Sequence, residues 1–141
     1  MAKGGILLVA EIGILYLTIY TGTLATELTE ARDAYQLGKI ERQMEKTDLL
    51  ILDELSYMSF NKYESELLFK VISERSERSS TIVTTNLPFS KWTELFENAT
   101  MVSALVDRLT YKSHILDMSG PSYRLRTSQA ELNGESQDSD Q

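Results

Sequence analysis

Two short segments, residues 49–52 and 81–85, constrain the fold of this chain more than any other feature. The first reads Leu-Leu-Ile-Leu and the second Thr-Ile-Val-Thr-Thr, and a helical apolar stripe within residues 67–72 lies between them. Apolar runs bounded by polar residues, and runs rich in β-branched residues, are typical of strands buried on both faces. Two such strands joined by a helix predict a parallel pair in an α/β fold.

Further candidate strands and helices complete the pattern. Residues 14–20 are rich in β-forming side chains, and residues 114–118 are a candidate last strand. Between the first strand and the next, apolar residues recur at the spacing of one helix face. These residues are Leu24, Leu28, Ala31 and Tyr35. With strands near 14–20, 49–53, 81–85 and 114–118, the chain is predicted to form a parallel sheet covered by helices on both sides.

The stretch Gly5–Tyr20 is apolar apart from the single charged residue Glu11. A membrane span needs about 20 apolar residues, and this stretch is shorter and is interrupted by Glu11 and Gly13. A secretory signal or membrane anchor is therefore the less favoured alternative, and we expect a part of the core. For Ile6–Ala10 the alternatives are the end of a helix and a substitute strand. We favour the helix, because Gly13 fits the position just after a helix carboxyl end.

Composition excludes several kinds of site. The chain has no Cys, which excludes a disulfide framework, a cysteine-type zinc site and a cysteine nucleophile, and its single His114 excludes a multi-histidine metal site. The absence of Cys fits the cytoplasmic location that we expect. The net charge is -7, and an acidic chain binds DNA poorly through charge alone. Residues 127–141 are polar and acidic, and we expect a disordered tail there.

Polar residues follow two of the predicted strands, where a parallel sheet places its chemistry. Asp53 and Glu54 follow the Leu-Leu-Ile-Leu run, in the Walker B pattern of nucleotide hydrolases. An acid here binds the Mg²⁺ of a nucleotide, often through water, and a second acid orients or deprotonates the attacking water. Asn86 follows the next strand and can hydrogen-bond that water or a phosphate. An ordinary polar turn explains the same residues, since Asn86 precedes Pro88.

Two arginines are candidates for contacts with phosphate. Arg108 lies in a predicted helix at roughly 101–111. It is either a surface residue or an arginine finger, which stabilises charge at the site of a neighbouring subunit during phosphoryl transfer. Arg124 follows the last predicted strand and is either a sensor of the nucleotide or a surface charge.

Four segments carry a resemblance to a known family: DLLILDELSY at 48–57, STIVTTNLPFSKW at 80–92, ALVDRL at 104–109 and SYRLR at 122–126. With these segments, residues 20–126 resemble the IstB-like ATP-binding proteins, which are AAA+ ATPases that assist transposition and are similar to the DnaC helicase loaders. The resemblance implies that Asp53 and Glu54 are the Walker B acids and Asn86 the sensor 1 residue. Arg108 matches the arginine finger and Arg124 the sensor 2 position.

The resemblance also implies a fold, cofactors and partners. The fold is a three-layer P-loop NTPase-like (AAA+) sandwich with a parallel sheet, formed here by a partial domain at 1–126. The implied cofactors are ATP, contacted by Arg124, and Mg²⁺, bound by Asp53 through water. The implied partners are DNA and a transposase or replicative helicase, with no membrane.

One departure from the family changes these expectations. The family carries a GxxGxGKT loop ahead of its second strand, and the printed sequence has none. This loop holds the phosphates and the metal. We therefore expect a sheet without the family's first strand, in a chain that is truncated, unable to hydrolyse ATP alone and prone to self-association. The alternative is a non-catalytic remnant that acts as a protein-interaction module.

Overall fold

Strands and helices alternate along the chain in a computed structural model that describes residues 6–9, 13–121 and 126–129. The strands are β1 (Ile6–Val9), β2 (Leu15–Tyr20), β3 (Leu49–Asp53) and β4 (Ser80–Val83). The α-helices are α1 (Thr21–Asp33), α2 (Leu37–Lys46), α3 (Lys62–Arg75) and α4 (Ala99–Thr110). Short 3-10 helices lie at Leu55–Tyr57 and Phe89–Glu94.

The sheet has the order β1-β2-β3-β4. β2, β3 and β4 are parallel, with Leu17 opposite Leu50 and Leu50 opposite Thr81. The parallel pairing of the segments near 14–20, 49–53 and 81–85 is therefore confirmed. The α/β fold with a parallel sheet follows from the helical crossovers between these strands.

The prediction of a helix end at Ile6–Ala10 was wrong for residues 6–9, because β1 is a strand that pairs antiparallel with β2, and Ala10 lies outside the described residues. Gly13 lies before β2 in the left-handed region, with φ of 78°. Short apolar runs do not distinguish strand from helix by pattern. Here residues 6–9 form a strand because the edge of β2 offers them partners for backbone hydrogen bonds.

The prediction of a strand at 114–118 was also wrong. This segment has no regular secondary structure, and Ile115, Leu116 and Met118 are 65%, 80% and 89% exposed. A strand needs a neighbour for its backbone hydrogen bonds. Among the described residues the sheet ends at β4, so this segment has no described strand beside it.

The core lies between one face of the sheet and the helices α1 and α3. Side chains alternate between the two faces of a strand, and on this face Leu17 and Ile19 of β2 meet Leu50 and Leu52 of β3, all at most 1% exposed. The helices contribute further buried residues to this face. They are Leu24, Ala25 and Leu28 of α1 and Leu68, Val71 and Ile72 of α3.

The other face of the sheet is partly exposed. Thr18, Leu49 and Ile51 are half-buried, and Ile82 is 47% exposed. Because β2, β3 and β4 follow one another across the sheet, right-handed crossovers place both connecting helical segments on the same face. Cover on both faces, as expected from the sequence, is thus not present in the part of the chain that the structure describes.

Arg75 fixes the amino ends of the parallel strands. Its guanidinium is buried and donates hydrogen bonds to the carbonyl oxygens of Met44 (2.6 Å), Thr47 (3.0 Å) and Ser80 (2.9 Å). Burial lowers the pKa of Arg75 below its usual value, opposed by the charge of Asp48. One side chain of α3 therefore ties together the end of α2, the approach to β3 and the start of β4.

Parts of the carboxyl-terminal predictions lie outside the described residues. This holds for Arg124 and for residues 130–141 of the predicted tail, whereas residues 126–129 form an exposed helical turn. Among the described helices, none has the length and apolar character needed to cross a membrane.

Candidate functional site

The two acids lie where β3 ends and the chain changes direction. Asp53 is the last residue of β3, and Glu54 follows in the left-handed region with φ 52° and ψ 51°. This conformation is unfavourable by about 1 kcal/mol or more for a residue other than glycine, and it persists when surrounding contacts fix it. The two carboxylates differ in environment, since Asp53 is half-buried and Glu54 is exposed.

Thr84, one residue past β4, makes the contacts that fix this turn. Its hydroxyl donates a hydrogen bond to Oδ1 of Asp53 and accepts one from the backbone N–H of Glu54, at 3.0 Å. Its carbonyl accepts a hydrogen bond from the N–H of Leu55, also at 3.0 Å. The sequence reasoning missed Thr84, although its place at the carboxyl end of the strand beside β3 was a usable signal.

The backbone of Asp53 is also held from the side of β2. The hydroxyl of Thr21, which is fully buried at the start of α1, donates a hydrogen bond to the carbonyl of Asp53 at 3.0 Å. Oδ1 of Asp53 further accepts the N–H of Glu54 at 3.2 Å. Residues just past the carboxyl ends of both neighbouring strands, Thr21 after β2 and Thr84 after β4, thus hold the first acid.

Asn86 reaches the same edge of the sheet through Ser56. The hydroxyl of Ser56 donates to Oδ1 of Asn86, and the N–H of Asn86 donates to Oγ of Ser56 at 3.2 Å. Because Ser56 lies two residues after Glu54, these bonds place Asn86 beside the turn that carries the acids. Its Oδ1 accepts one hydrogen bond, and its amide N–H groups donate to no described residue and can contact a ligand.

Glu54 lines a depression of about 440 Å³ at the start of α1. The other lining residues are Tyr20, Gly22, Thr23, Thr26 and Met58. At Gly22 an added Cβ would lie 2.6 Å from Sδ of Met58, so glycine allows the close contact between α1 and the segment after Glu54. The second acid therefore faces an accessible space bounded by hydroxyls and apolar groups.

Arg108 is exposed on α4, and its contacts are with α3 and with its own helix. Its guanidinium carbon lies 5.0 Å from the centre of the Phe69 ring of α3, and its Nη1 donates to the carbonyl of Ala104 at 3.4 Å. No contact among the described residues joins it to Asp53 or Glu54. The structure thus brings together Asp53, Glu54 and Asn86. Arg108 of the same chain has no described contact with this group.

Residues 8–131 match the family described as IstB-like ATP binding protein. The chain belongs to this family. Among its relatives, an insertion sequence ATP-binding protein of Sinorhizobium fredii is 40% identical over 76% of this chain and 36% of its own length. The IS21 ATP-binding protein of Pseudomonas aeruginosa is 38% identical over 66% and 36%. The IS232 ATP-binding protein of Bacillus thuringiensis is 31% identical over 84% and 50%.

This IstB-like chain spans about a third to a half of the length of these curated relatives. The family match includes β2, β3, β4 and α4, and with them the edge that carries Asp53, Glu54 and Asn86. The resemblance inferred from the sequence segments is confirmed as family membership. ATP binding is part of the description of the family and of these relatives.

The acids of this IstB-like chain fit a metal ion that arrives with a nucleotide. Oδ1 of Asp53 is engaged, and Oδ2 receives no hydrogen bond from any described residue. Within the described ranges no group of three or more His, Asp or Glu residues could hold a metal. Mg²⁺ is commonly held by one or two carboxylates together with water and phosphate oxygens. The donor set at Asp53 fits that arrangement.

Proposed function

We propose that this chain forms the acidic side of an ATP and Mg²⁺ site in an IstB-like protein that assists DNA transposition. One observation carries the proposal: Asp53, Glu54 and Asn86 lie at one carboxyl edge of a parallel sheet, in a chain of an ATP-binding family. Such edges are where α/β folds bind ligands.

Each residue has a separate part in the proposed site. Asp53 holds Mg²⁺ through Oδ2, directly or through water, because Oδ1 is already bonded to Thr84. The metal, when bound, offsets phosphate charge. Glu54 orients or deprotonates a water molecule at the exposed side of the turn. Asn86 donates from its amide to that water or to a phosphate oxygen.

We expect negligible ATPase activity from this chain alone. Phosphoryl transfer depends on holding the phosphates and neutralising their charge. The printed sequence has no GxxGxGKT segment for that task, and adjacent carboxylates repel the triphosphate of ATP. Arg108, exposed on α4, would act as an arginine finger only at the site of a neighbouring subunit, and Arg124 would contact the nucleotide.

The proposed partners follow from the insertion sequence relatives and, for the helicase, from the similarity of the family to the DnaC helicase loaders. They are DNA and a transposase, with a replicative helicase as the alternative protein partner, in the cytoplasm. The net charge of -7 makes contact with DNA through this chain's general charge unfavourable. We therefore place the main contact of this chain with protein partners rather than with the phosphate backbone.

Phosphate release by the purified chain tests the proposed inactivity. We expect release at the background level for the wild type, for Glu54→Gln and for the control Glu45→Gln, whose residue is exposed on α2. Turnover that Glu54→Gln abolishes and Glu45→Gln preserves would contradict inactivity and show that other residues hold the phosphates.

Titration with a fluorescent ATP analogue tests binding separately. Mg²⁺-dependent binding that is lost in Asp53→Asn supports the nucleotide site. No binding at millimolar analogue, with or without Mg²⁺, would overturn it in favour of the alternative, a non-catalytic interaction module.

A further inference from the structure

The hydroxyl of Thr84 lies between the two acids of the candidate site and uses both of its hydrogen-bonding functions there. It donates to Oδ1 of Asp53 and accepts from the N–H of Glu54. A hydroxyl can do both, whereas a methyl group of the same size can do neither. The arrangement therefore requires the chemistry of Thr or Ser at this position, beyond its shape.

The same hydroxyl accepts a hydrogen bond from the backbone of Glu54, which has an unfavourable left-handed conformation. With φ at 52°, Glu54 needs contacts that fix its peptide group, and its N–H is directed at Thr84 and at Oδ1 of Asp53. The backbone of Thr84 adds a bond on each side, from its N–H to the Leu52 carbonyl and from Leu55 to its own carbonyl, both at 3.0 Å. Thr84 thus contacts the chain before, at and after the acidic pair.

We propose that Thr84 is the positioning residue of the Asp53–Glu54 pair. Its hydroxyl holds Oδ1 of Asp53, which leaves Oδ2 directed to a divalent cation, and it holds the main chain of Glu54 in the left-handed conformation. The metal part of this inference rests on the proposed function. The effect on the Glu54 backbone does not, because it follows from contacts within the chain.

Thr85 provides a matched control at the next position. It is exposed like Thr84, but its hydroxyl accepts the N–H of Leu87 at 3.1 Å and makes no described contact with the acids. Thr84→Val and Thr85→Val remove the same atoms from adjacent residues. Thr84→Ser keeps the hydroxyl and removes only the methyl group.

The test is an NMR comparison of the full chain as wild type and as Thr84→Val, Thr84→Ser and Thr85→Val. Amide hydrogen exchange at Glu54 reports the backbone, and broadening of the Asp53 and Glu54 amide signals by added Mn²⁺ alone reports the cation. For Thr84→Val we expect Glu54 exchange to be about tenfold faster, and half-broadening to need about tenfold more Mn²⁺, as for one lost hydrogen bond. Thr84→Ser should restore both quantities to within about twofold of the wild type, and Thr85→Val should change neither.

Two outcomes would overturn the positioning role. One is wild-type exchange at Glu54 together with a wild-type Mn²⁺ response in Thr84→Val. The other is a change of equal size in Thr84→Ser or Thr85→Val, which would indicate a general structural effect. Thr84→Ala replaces Thr84→Val if the valine variant fails to fold. A wild type without Mn²⁺ broadening contradicts the proposed metal site, and Glu54 exchange then decides the role of Thr84.

Discussion

The two faces of the parallel sheet differ in cover although they belong to the same strands. In β3, Leu50 and Leu52 are fully buried beneath α1 and α3, whereas their neighbours Leu49 and Ile51 are half-buried. The amino acids are almost the same on both sides. The faces differ in cover because consecutive right-handed crossovers bring the described connecting helices to one side of the sheet.

The comparison shows that an apolar sequence indicates that both faces of a strand can be buried, but does not establish that both are. A run such as Leu-Leu-Ile-Leu is typical of strands covered on both faces. Here one face has its cover within the described chain, and the other presents Ile51 and Ile82 at least partly to solvent. Stability should therefore be concentrated on the covered face, and association on the open one.

The largest expected effect is on the covered face. Leu50→Ala should lower the free energy of unfolding by about 3 kcal/mol, because it leaves a cavity beneath α1 and α3. Ile51→Ala removes the same number of carbon atoms from the adjacent residue on the open face. It should lower the free energy by about 1 kcal/mol, since part of that side chain is already in contact with water.

Urea unfolding of both variants and the wild type measures this difference. Equal losses for Leu50→Ala and Ile51→Ala would show that the second face is covered in solution and would remove the distinction. If a variant differs from the wild type in m, the slope of the free energy of unfolding against urea concentration, two-state unfolding is checked before the free energies are compared. A changed m means that the denatured or native state has changed in compactness or that unfolding is no longer two-state.

Much of the sheet could be predicted because its signals are local. Asp53 and Glu54 directly follow an apolar run, and Asn61 caps α3 together with Glu64, three residues away, through bonds of 2.9 and 3.0 Å. The placement of the acids at a carboxyl edge follows from parallel pairing alone. Their roles in binding a nucleotide stay predictions.

What could not be predicted depends on distant parts of the chain. The pairing of β1 with β2, the exposure of Ile82 and the bond from Thr84 to Asp53 each need the arrangement of several elements. Tyr35 illustrates the same limit within one helix. Its spacing placed it on the apolar stripe of α1, but α1 ends at Asp33, and Tyr35 is 97% exposed in the left-handed region that follows.

The open face predicts a smaller effect, on association rather than folding. Ile82 lies on β4, which has no partner on its outer side among the described residues, and its cross-strand neighbour on the open face is the apolar Ile51. We expect self-association that rises with concentration in sedimentation, and Ile82→Lys should shift the protein towards monomer, as charged residues do on natural edge strands. The free energy of unfolding should change by less than about 1 kcal/mol.

Leu116→Lys is the control for this association, because Leu116 is 80% exposed in the segment after α4. If that variant dissociates the protein and Ile82→Lys does not, the association belongs to the segment and not to the sheet. A monomer with sharp unfolding that does not depend on concentration would show that the open face does not associate.

The smallest expected effect lies on the solvent side of the covering helices. Lys70 of α3 forms an ion pair with Glu41 of α2, and its side chain is 48% exposed. The hydrogen bond from Lys70 to Glu41 raises the pKa of Lys70, with burial acting in the opposite direction. A pKa that is raised on folding gives a stabilisation that is fully present below the unfolded value of 10.5 and is lost as the pH rises through the folded value.

Lys70→Gln should therefore lower the free energy of unfolding at pH 7 by no more than about 0.5 kcal/mol, since exposed ion pairs are weak and partly offset by ordering of the side chains. The difference from the wild type should shrink in 1 M salt and again above pH 10.5. Lys39→Gln, which removes the same charge from an exposed position of α2, controls for net charge. A loss above about 2 kcal/mol that resists salt would exceed the range of exposed pairs. It would mean that the contact between α2 and α3, and not burial against the sheet, carries much of the stability of the covered face.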